Sequence, residues 1–162
     1  MRIGVISDTH IPGRAKEIPK IILDDFKNVD IVVHAGDLVD LSVLNKLREV
    51  CHNVKAVWGN MDSDDVRNHL PDKLVFNAGG FKIGVMHGTG AAASLRRVLS
   101  EAFKDDFVDV IIFGHSHAPF NERIKGTLFF NPGSATDKLF AEFNSYGIIE
   151  INDKIEARIV NI

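Results

Sequence analysis

Residues 110–117 have the sequence VIIFGHSH, a short apolar run that passes through one glycine into two histidines separated by a serine. The apolar run predicts a buried strand. Residues i and i+2 of a strand point to the same side, so the imidazoles of His115 and His117 can face one point beyond the strand end. Because neutral imidazole is the commonest metal ligand in proteins, the stretch indicates a metal site. A turn with two surface histidines is the alternative that this segment alone leaves open.

Four other predicted strands end in side chains from the same set of metal ligands. They are Asp8 and His10 after residues 2–7, Asp37 after residues 31–33, Asn60 after residues 54–58, and His87 after residues 81–86. In open α/β sheets, ligands bind beyond the carboxyl ends of the strands. We therefore expect these side chains to gather near His115 and His117.

The order of predicted elements indicates an α/β fold that ends in antiparallel strands. Helical spacing of apolar residues over 18–26 and 41–50 separates the first three strands, which is typical of a parallel sheet with crossover helices. A Gly79-Gly80 hairpin, a helix over 91–103 and further strands at 120–124, 128–130, 146–151 and 155–160 follow. Two mixed sheets packed face to face, with helices outside, accommodate this order within one domain over 1–162.

Composition limits the classes of function. The chain has 162 residues, 45% of them hydrophobic and 25% charged, and a formal net charge of −3. The charge argues against a dedicated nucleic-acid-binding module. Cys51 is the only cysteine, so no intramolecular disulfide forms and a reducing compartment is expected. We see neither a signal peptide nor a membrane span, and a cytoplasmic location is the expectation.

The number of predicted donors exceeds what one metal ion needs. The mixed His, Asp and Asn set contains no thiolate, which argues against a cysteine-rich structural zinc site and favours divalent first-row ions. Seven donors suggest a pair of ions, and pairs roughly 3.5–4 Å apart hydrolyse phosphate esters. A carboxylate can bridge two ions through its two oxygens, and Asp37 is the natural candidate.

In this order, the motifs Asp8-x-His10, Gly36-Asp37, Gly59-Asn60, His87 and Gly114-His115-x-His117 resemble the calcineurin-like metallophosphoesterases. The small size and the segment NPGS at 131–134 resemble the compact phosphodiesterase subfamily of bacteria and archaea. The resemblance implies a four-layer α/β/β/α sandwich. It also implies a first metal held by Asp8, His10, Asp37 and His117, and a second held by Asp37, Asn60, His87 and His115. Manganese is the first expectation, with nickel, iron, cobalt and zinc as alternatives.

The activity expected from this resemblance is phosphodiester hydrolysis by a metal-bound hydroxide at a dinuclear site. Asp37, Asn60 and His87 are the predicted catalytic residues, and Arg14 with Asn60 would bind substrate. Many relatives have a histidine after the Gly-Asn pair, where it can protonate the leaving group, but this chain has Met61. We therefore expect a preference for aryl or otherwise activated esters.

Several alternatives remain at this point. A phosphomonoesterase or nucleotide pyrophosphatase would use the same ligands, and a scaffold comparable to a retromer subunit would use the fold without the chemistry. The expected partner is a small phosphodiester or nucleotide-type substrate, without stable nucleic-acid binding or membrane association. A homo-oligomer is compatible with the sequence.

Overall fold

The computed structural model describes residues 1–162 and contains ten strands and four helices. In chain order they are β1 Arg2–Ile6, α1 Lys20–Phe26, β2 Ile31–His34, α2 Ser42–Val50, β3 Val54–Ala56, α3 Asp64–His69, β4 Lys73–Ala78, β5 Phe81–Met86, α4 Ala92–Ala102, β6 Val110–Ile112, β7 Phe120–Ile124, β8 Thr127–Asn131, β9 Ser145–Ile151 and β10 Ile155–Asn161. None of the helices is both long enough and apolar enough to cross a membrane.

The strands form two five-stranded mixed sheets. The first has the order β10-β9-β1-β2-β3, in which β1, β2 and β3 are parallel and β9 and β10 antiparallel. The second has the order β4-β5-β6-β8-β7, in which β5, β6 and β8 are parallel. The predicted Gly79-Gly80 hairpin joins β4 to β5. Each sheet therefore contributes a group of parallel strands whose carboxyl ends lie at a common edge.

Three layers of buried side chains separate the two sheets and the helices. Side chains alternate between the faces of a strand, so β1 directs Ile3 and Val5 towards the second sheet, whereas Ile6 lies on the side of the helices. The core on that side also contains Phe26 of α1 and Leu47 of α2. The outer face of the second sheet packs against α4 in a third cluster. The predicted four-layer α/β/β/α arrangement is confirmed.

The element boundaries differ from the predicted ones by a few residues. The third strand ends at Ala56 rather than residue 58, because the Trp58 N–H donates to the Pro71 carbonyl, 3.0 Å away, instead of to a neighbouring strand. The first helix begins at Lys20 and not at residue 18, with Pro19 at its N-cap position. Because the third strand ends at Ala56, Asn60 lies four residues beyond the end of its strand and not two as predicted.

Candidate metal centre

The carboxyl ends of the parallel strands bring all the predicted donors to one cleft between the two sheets. The cleft has a volume of about 330 Å³, and His10, Asp37, Asn60, His115 and His117 line it together with Arg14, Met61, Ser116 and Phe140. Asp8 and His87 are 0% and 3% exposed and lie beneath this surface. The sequence-based expectation of convergence is therefore met, although the roles of the individual side chains stay predictions.

Four of the donors form a buried cluster. The ligand atoms of Asp8, His10, Asp37 and His117 all lie within 4.8 Å of one another. His117 Nε2 is 3.2 Å from His10 Nε2 and 3.3 Å from Asp8 Oδ1. His10 Nε2 is 3.7 Å from Asp37 Oδ2. This cluster is the set that the family resemblance implies for the first metal.

The other predicted donors adjoin this cluster through Asp37. His87 Nε2 is 3.4 Å from Asp37 Oδ2, and the His87 ring centroid is 5.3 Å from that of His115. The Asn60 Oδ1 and His115 Nδ1 atoms are 2.8 Å apart, and His115 Nε2 is 2.9 Å from the Gly90 carbonyl oxygen. Asn60 and His115 thus contact each other, and the four-residue cluster contains neither of them.

Two imidazoles present lone pairs to carboxylate oxygens. His87 donates its Nδ1–H to the Ala35 carbonyl, 2.7 Å away, so in the neutral ring Nε2 carries a lone pair. That buried nitrogen has no hydrogen-bond partner. His117 donates from Nδ1 to the buried carboxylate of Asp137, and its Nε2 faces Asp8. Lone pairs directed at carboxylates are stable only with a cation or a proton between them, so these residues fit divalent ions.

The electrostatics of the centre indicate the same demand for positive charge. Burial alone would lower the pKa of His87, but the neighbouring carboxylates of Asp37 and Asp8 outweigh it and raise the pKa to about 9. Burial also lowers the pKa of His117, but the carboxylates of Asp8 and Asp137 raise it by more. The pKa of His117 is therefore above its ordinary value. Both shifts reflect the negative charge of the carboxylates around these imidazoles, which a cation would also stabilise.

The backbone at the centre is strained. Five predicted donors have a positive φ, a conformation that residues other than glycine seldom adopt. The values are 53° at Asp8, 44° at His10, 56° at Asp37, 69° at His115 and 56° at His117. Only three other non-glycine residues of the chain share this feature. Strained torsions of this kind cluster at functional sites, and here they turn the chain sharply at the strand ends.

Two glycines that precede donors leave space for the donors of other strands. A Cβ at Gly59 would lie 2.7 Å from the His87 ring and 2.6 Å from the backbone nitrogen of Asp37. A Cβ at Gly114 would lie 2.6 Å from Asp8 Oδ2. Any other residue at these positions would displace the neighbouring donors, which accounts for the glycine in the Gly-Asn and Gly-His pairs.

Two acidic residues that the sequence analysis did not include among the site residues hold the donors in place. Asp62 accepts hydrogen bonds from the backbone N–H groups of Asp37, Val39 and Gly59, at 3.0, 2.5 and 2.7 Å. Asp137 contacts both His117 and Arg14. Asp137 lies in a polar segment directly after the NPGS motif, but nothing in the sequence shows which histidine it reaches.

The remaining candidates lie at or outside the cleft. Arg14 Nη1 is 2.6 Å from Asp137 Oδ1, and its guanidinium carbon is 4.8 Å from the Phe140 ring centroid. Met61 is 57% exposed in the cleft, and its backbone N–H donates to Asp37 Oδ1 at 2.7 Å. His69, eight residues after Met61, is exposed, and its Nδ1 is 2.7 Å from the Asp65 carbonyl oxygen. The thioether of Met61 carries no proton that could be donated to a leaving group.

Comparison with known proteins gives a consistent result. The sequence profile of the Calcineurin-like phosphoesterase superfamily domain matches residues 1–154. The probable metallophosphoesterase MJ0623 of Methanocaldococcus jannaschii is 40% identical over 163 aligned positions, which cover 100% of this chain and 82% of that protein. The phosphodiesterase MJ0936 of the same organism is 30% identical and aligns over 99% of both chains.

A solved structure with a related sequence has the same fold. The crystal structure of wild-type Vps29 of Entamoeba histolytica complexed with Zn²⁺ is 29% identical and superposes with a TM-score of 0.80, covering 99% of each chain. The relatives therefore include proteins named as phosphoesterases and a Vps29 that binds zinc.

Proposed function

We propose that this chain, which belongs to the calcineurin-like phosphoesterase superfamily, is a phosphodiesterase that depends on two divalent metal ions. The observation that carries the proposal is the unpartnered Nε2 of buried His87, which faces the carboxylate of Asp37 at 3.4 Å. An imidazole lone pair and a carboxylate directed at the same point form a cation site. The phosphodiesterase name of one relative supports the activity.

The proposed ligand sets share Asp37. The first ion would be held by Asp8, His10, Asp37 and His117, and the second by Asp37, Asn60, His87 and His115. The bound ions would activate water near neutral pH and neutralise the charge of the phosphoryl oxygens. Manganese is our first choice of metal, since oxygen and imidazole ligands suit it, and nickel, iron, cobalt and zinc suit the same set.

The side chains of the cleft favour a diester over a monoester. Arg14 is the only arginine or lysine that lines the cleft, and the carboxylate of Asp137 neutralises part of its charge. A phosphodiester has one negative charge and a monoester close to two, so a cleft with one shared cation suits the diester better. The guanidinium still has N–H groups for a phosphoryl oxygen, and Asn60 offers an amide.

Met61 restricts the leaving group. A thioether donates no proton, so a departing alkoxide would leave unprotonated. Aryl oxides and other weakly basic groups depart without this help. We therefore propose that aryl or otherwise activated diesters are cleaved faster than dialkyl diesters.

The test uses protein stripped with a chelator and reloaded with each candidate metal in turn. Hydrolysis of bis(p-nitrophenyl) phosphate is compared with hydrolysis of p-nitrophenyl phosphate and of a nucleoside diphosphate ester. We expect two ions per chain, the highest kcat/KM on the diester, and loss of activity in Asp37→Asn and His87→Ala but not in the exposed control His52→Ala. Faster cleavage of the monoester or of the pyrophosphate bond would refute the diesterase assignment.

A protein-binding scaffold is the second candidate, favoured by the close similarity of the fold to Vps29. Such a protein would retain its partner when Asp37 or His87 is replaced, whereas an enzyme would lose turnover. Failure to hydrolyse any of the esters with every metal, together with a partner retained by both variants, would favour the scaffold.

A further inference from the structure

One large apolar side chain stands exposed at the rim of the metal cleft. Phe140 is 71% exposed, and it lines the same cleft as His10, Asn60 and His117. Its ring centroid is 6.2 Å from that of His117, with the two planes inclined at 73°. An aromatic ring in this position would touch a group attached to a phosphate bound at the donors.

The backbone that carries this ring is anchored, although the ring itself is exposed. Asp137 Oδ1 accepts the backbone N–H groups of Leu139 and Phe140, at 2.8 and 3.4 Å. The same carboxylate holds Arg14, whose guanidinium carbon lies 4.8 Å from the ring centroid. Asn144 closes the segment by donating to the Asp137 carbonyl at 2.8 Å. The buried carboxylate of Asp137 thus contacts both the Arg14 guanidinium and the backbone that carries the aromatic ring.

Planar π-systems are the groups whose binding is strengthened most by contact with an exposed aromatic ring. An aromatic pair is more stable than its buried surface area alone accounts for. Aromatic side chains of proteins also stack on nucleobases of every type. Met61, which also lines the cleft and is 57% exposed, offers a thioether that contacts aromatic rings favourably. A cyclohexyl group of similar size would gain only from burial of its surface.

We propose that Phe140, backed by Arg14, forms a subsite that selects phosphodiesters carrying a planar aromatic group, a nucleobase or an aryl ester, beside the phosphate. This inference rests on the proposed phosphodiesterase function. A protein partner on the same exposed residues is the competing occupant. The substrate is favoured because Phe140 belongs to the metal cleft and contacts Arg14, whereas Leu139, which is 79% exposed, does not line the cleft.

The experiment compares two inert anions, diphenylphosphinate and dicyclohexylphosphinate. Both have one negative charge and carbon–phosphorus bonds that hydrolysis does not break, and the cyclohexyl compound is the more hydrophobic. Affinity for the metal-loaded protein is measured by calorimetry and by ligand-observed NMR. We expect tighter binding of the phenyl compound, and a loss of roughly threefold to tenfold in that affinity for Phe140→Ala. Phe140→Trp should retain the preference, and Leu139→Ala should bind both anions as the parent protein does.

The outcomes separate the subsite from the enzymatic function. A preference for the cyclohexyl compound, equal losses of both affinities in Phe140→Ala, or no binding of either anion would overturn the subsite. A protein that hydrolyses no diester but prefers diphenylphosphinate through Phe140 would retain the subsite and refute the phosphodiesterase. If Phe140→Ala changed only self-association or partner capture, the surface would be an interface and the subsite proposal would be wrong.

Discussion

Acidification should destabilise the metal-free protein through His34, at the end of β2. This imidazole is 0% exposed. Its Nδ1 accepts the Gly36 N–H at 3.2 Å, so Nε2 carries the proton and donates to Thr9 Oγ1 at 3.0 Å. A second proton would break the Gly36 bond and place a charge in the core. Burial therefore lowers the pKa of His34 to about 3, although the charge of Asp8 opposes it.

The sign and the size of the effect follow from this pKa. The ordinary pKa of histidine is about 6.5, so the unfolded chain takes up a proton at His34 before the folded chain does. The stabilisation is complete above about pH 6.5 and is lost as the pH falls towards 3. Linkage gives a loss of about 2 kcal/mol between about pH 7 and about pH 5, and about 5 kcal/mol in total.

The assay is urea unfolding of the chelated protein at these two pH values, for the parent and for His34→Gln. At each pH, the free energy of unfolding of His34→Gln is subtracted from that of the parent. This difference should fall by about 2 kcal/mol on acidification. Because the raised pKa values of His87 and His117 act in both proteins, they cancel in this difference. The exposed His52→Gln is the matched control and should show no such trend. A difference between parent and His34→Gln that stays constant with pH would refute the reasoning.

Three further predictions concern the cleft. Asp137→Asn should weaken metal binding about tenfold to a hundredfold, because His117 loses the carboxylate that orients it; an unchanged affinity in a metal titration would contradict this. Met61→His should raise the rate on methyl p-alkylphenyl phosphates more than the rate on bis(p-nitrophenyl) phosphate, and equal gains would argue against a missing acid. Gly59→Ala should abolish stoichiometric metal binding, measured by elemental analysis, because its Cβ would press on Asp37 and His87; a variant that retains both ions would be inconsistent with the close packing.

The fold and the place of the site were predictable because both depend on local patterns. Apolar runs predicted the strands, and helical spacing of apolar residues predicted the crossover helices. The alternation of strands and helices predicted that the first sheet is parallel. Once the strands are parallel, residues that follow them must meet at one edge. Asp8, Asp37 and His115 could therefore be grouped, although more than 100 residues separate the first from the last.

The support of the donors was not predictable in the same way. Asp137 reaches His117 because the segment after β8 folds back over the ends of β1 and β6, where Ser134 donates to the Asp8 carbonyl and Asn131 to the Gly114 carbonyl. No local pattern in the sequence specifies that path. Asp62 joins the loops after β2 and β3 through backbone N–H groups, which carry no sequence signal. The contact between Asn60 and His115 likewise depends on how the two sheets are packed.

The positive φ angles at Asp8, His10, Asp37, His115 and His117 have a consequence for the stability of the chain. Torsions of this kind cost about 1–3 kcal/mol each, and here the surrounding sandwich maintains them against the chain's own preference. A short peptide containing GHSH would relax and bind ions poorly. Exchanging these residues for glycine would relieve the strain, so the donors are retained at a cost to the stability of the sandwich that carries them.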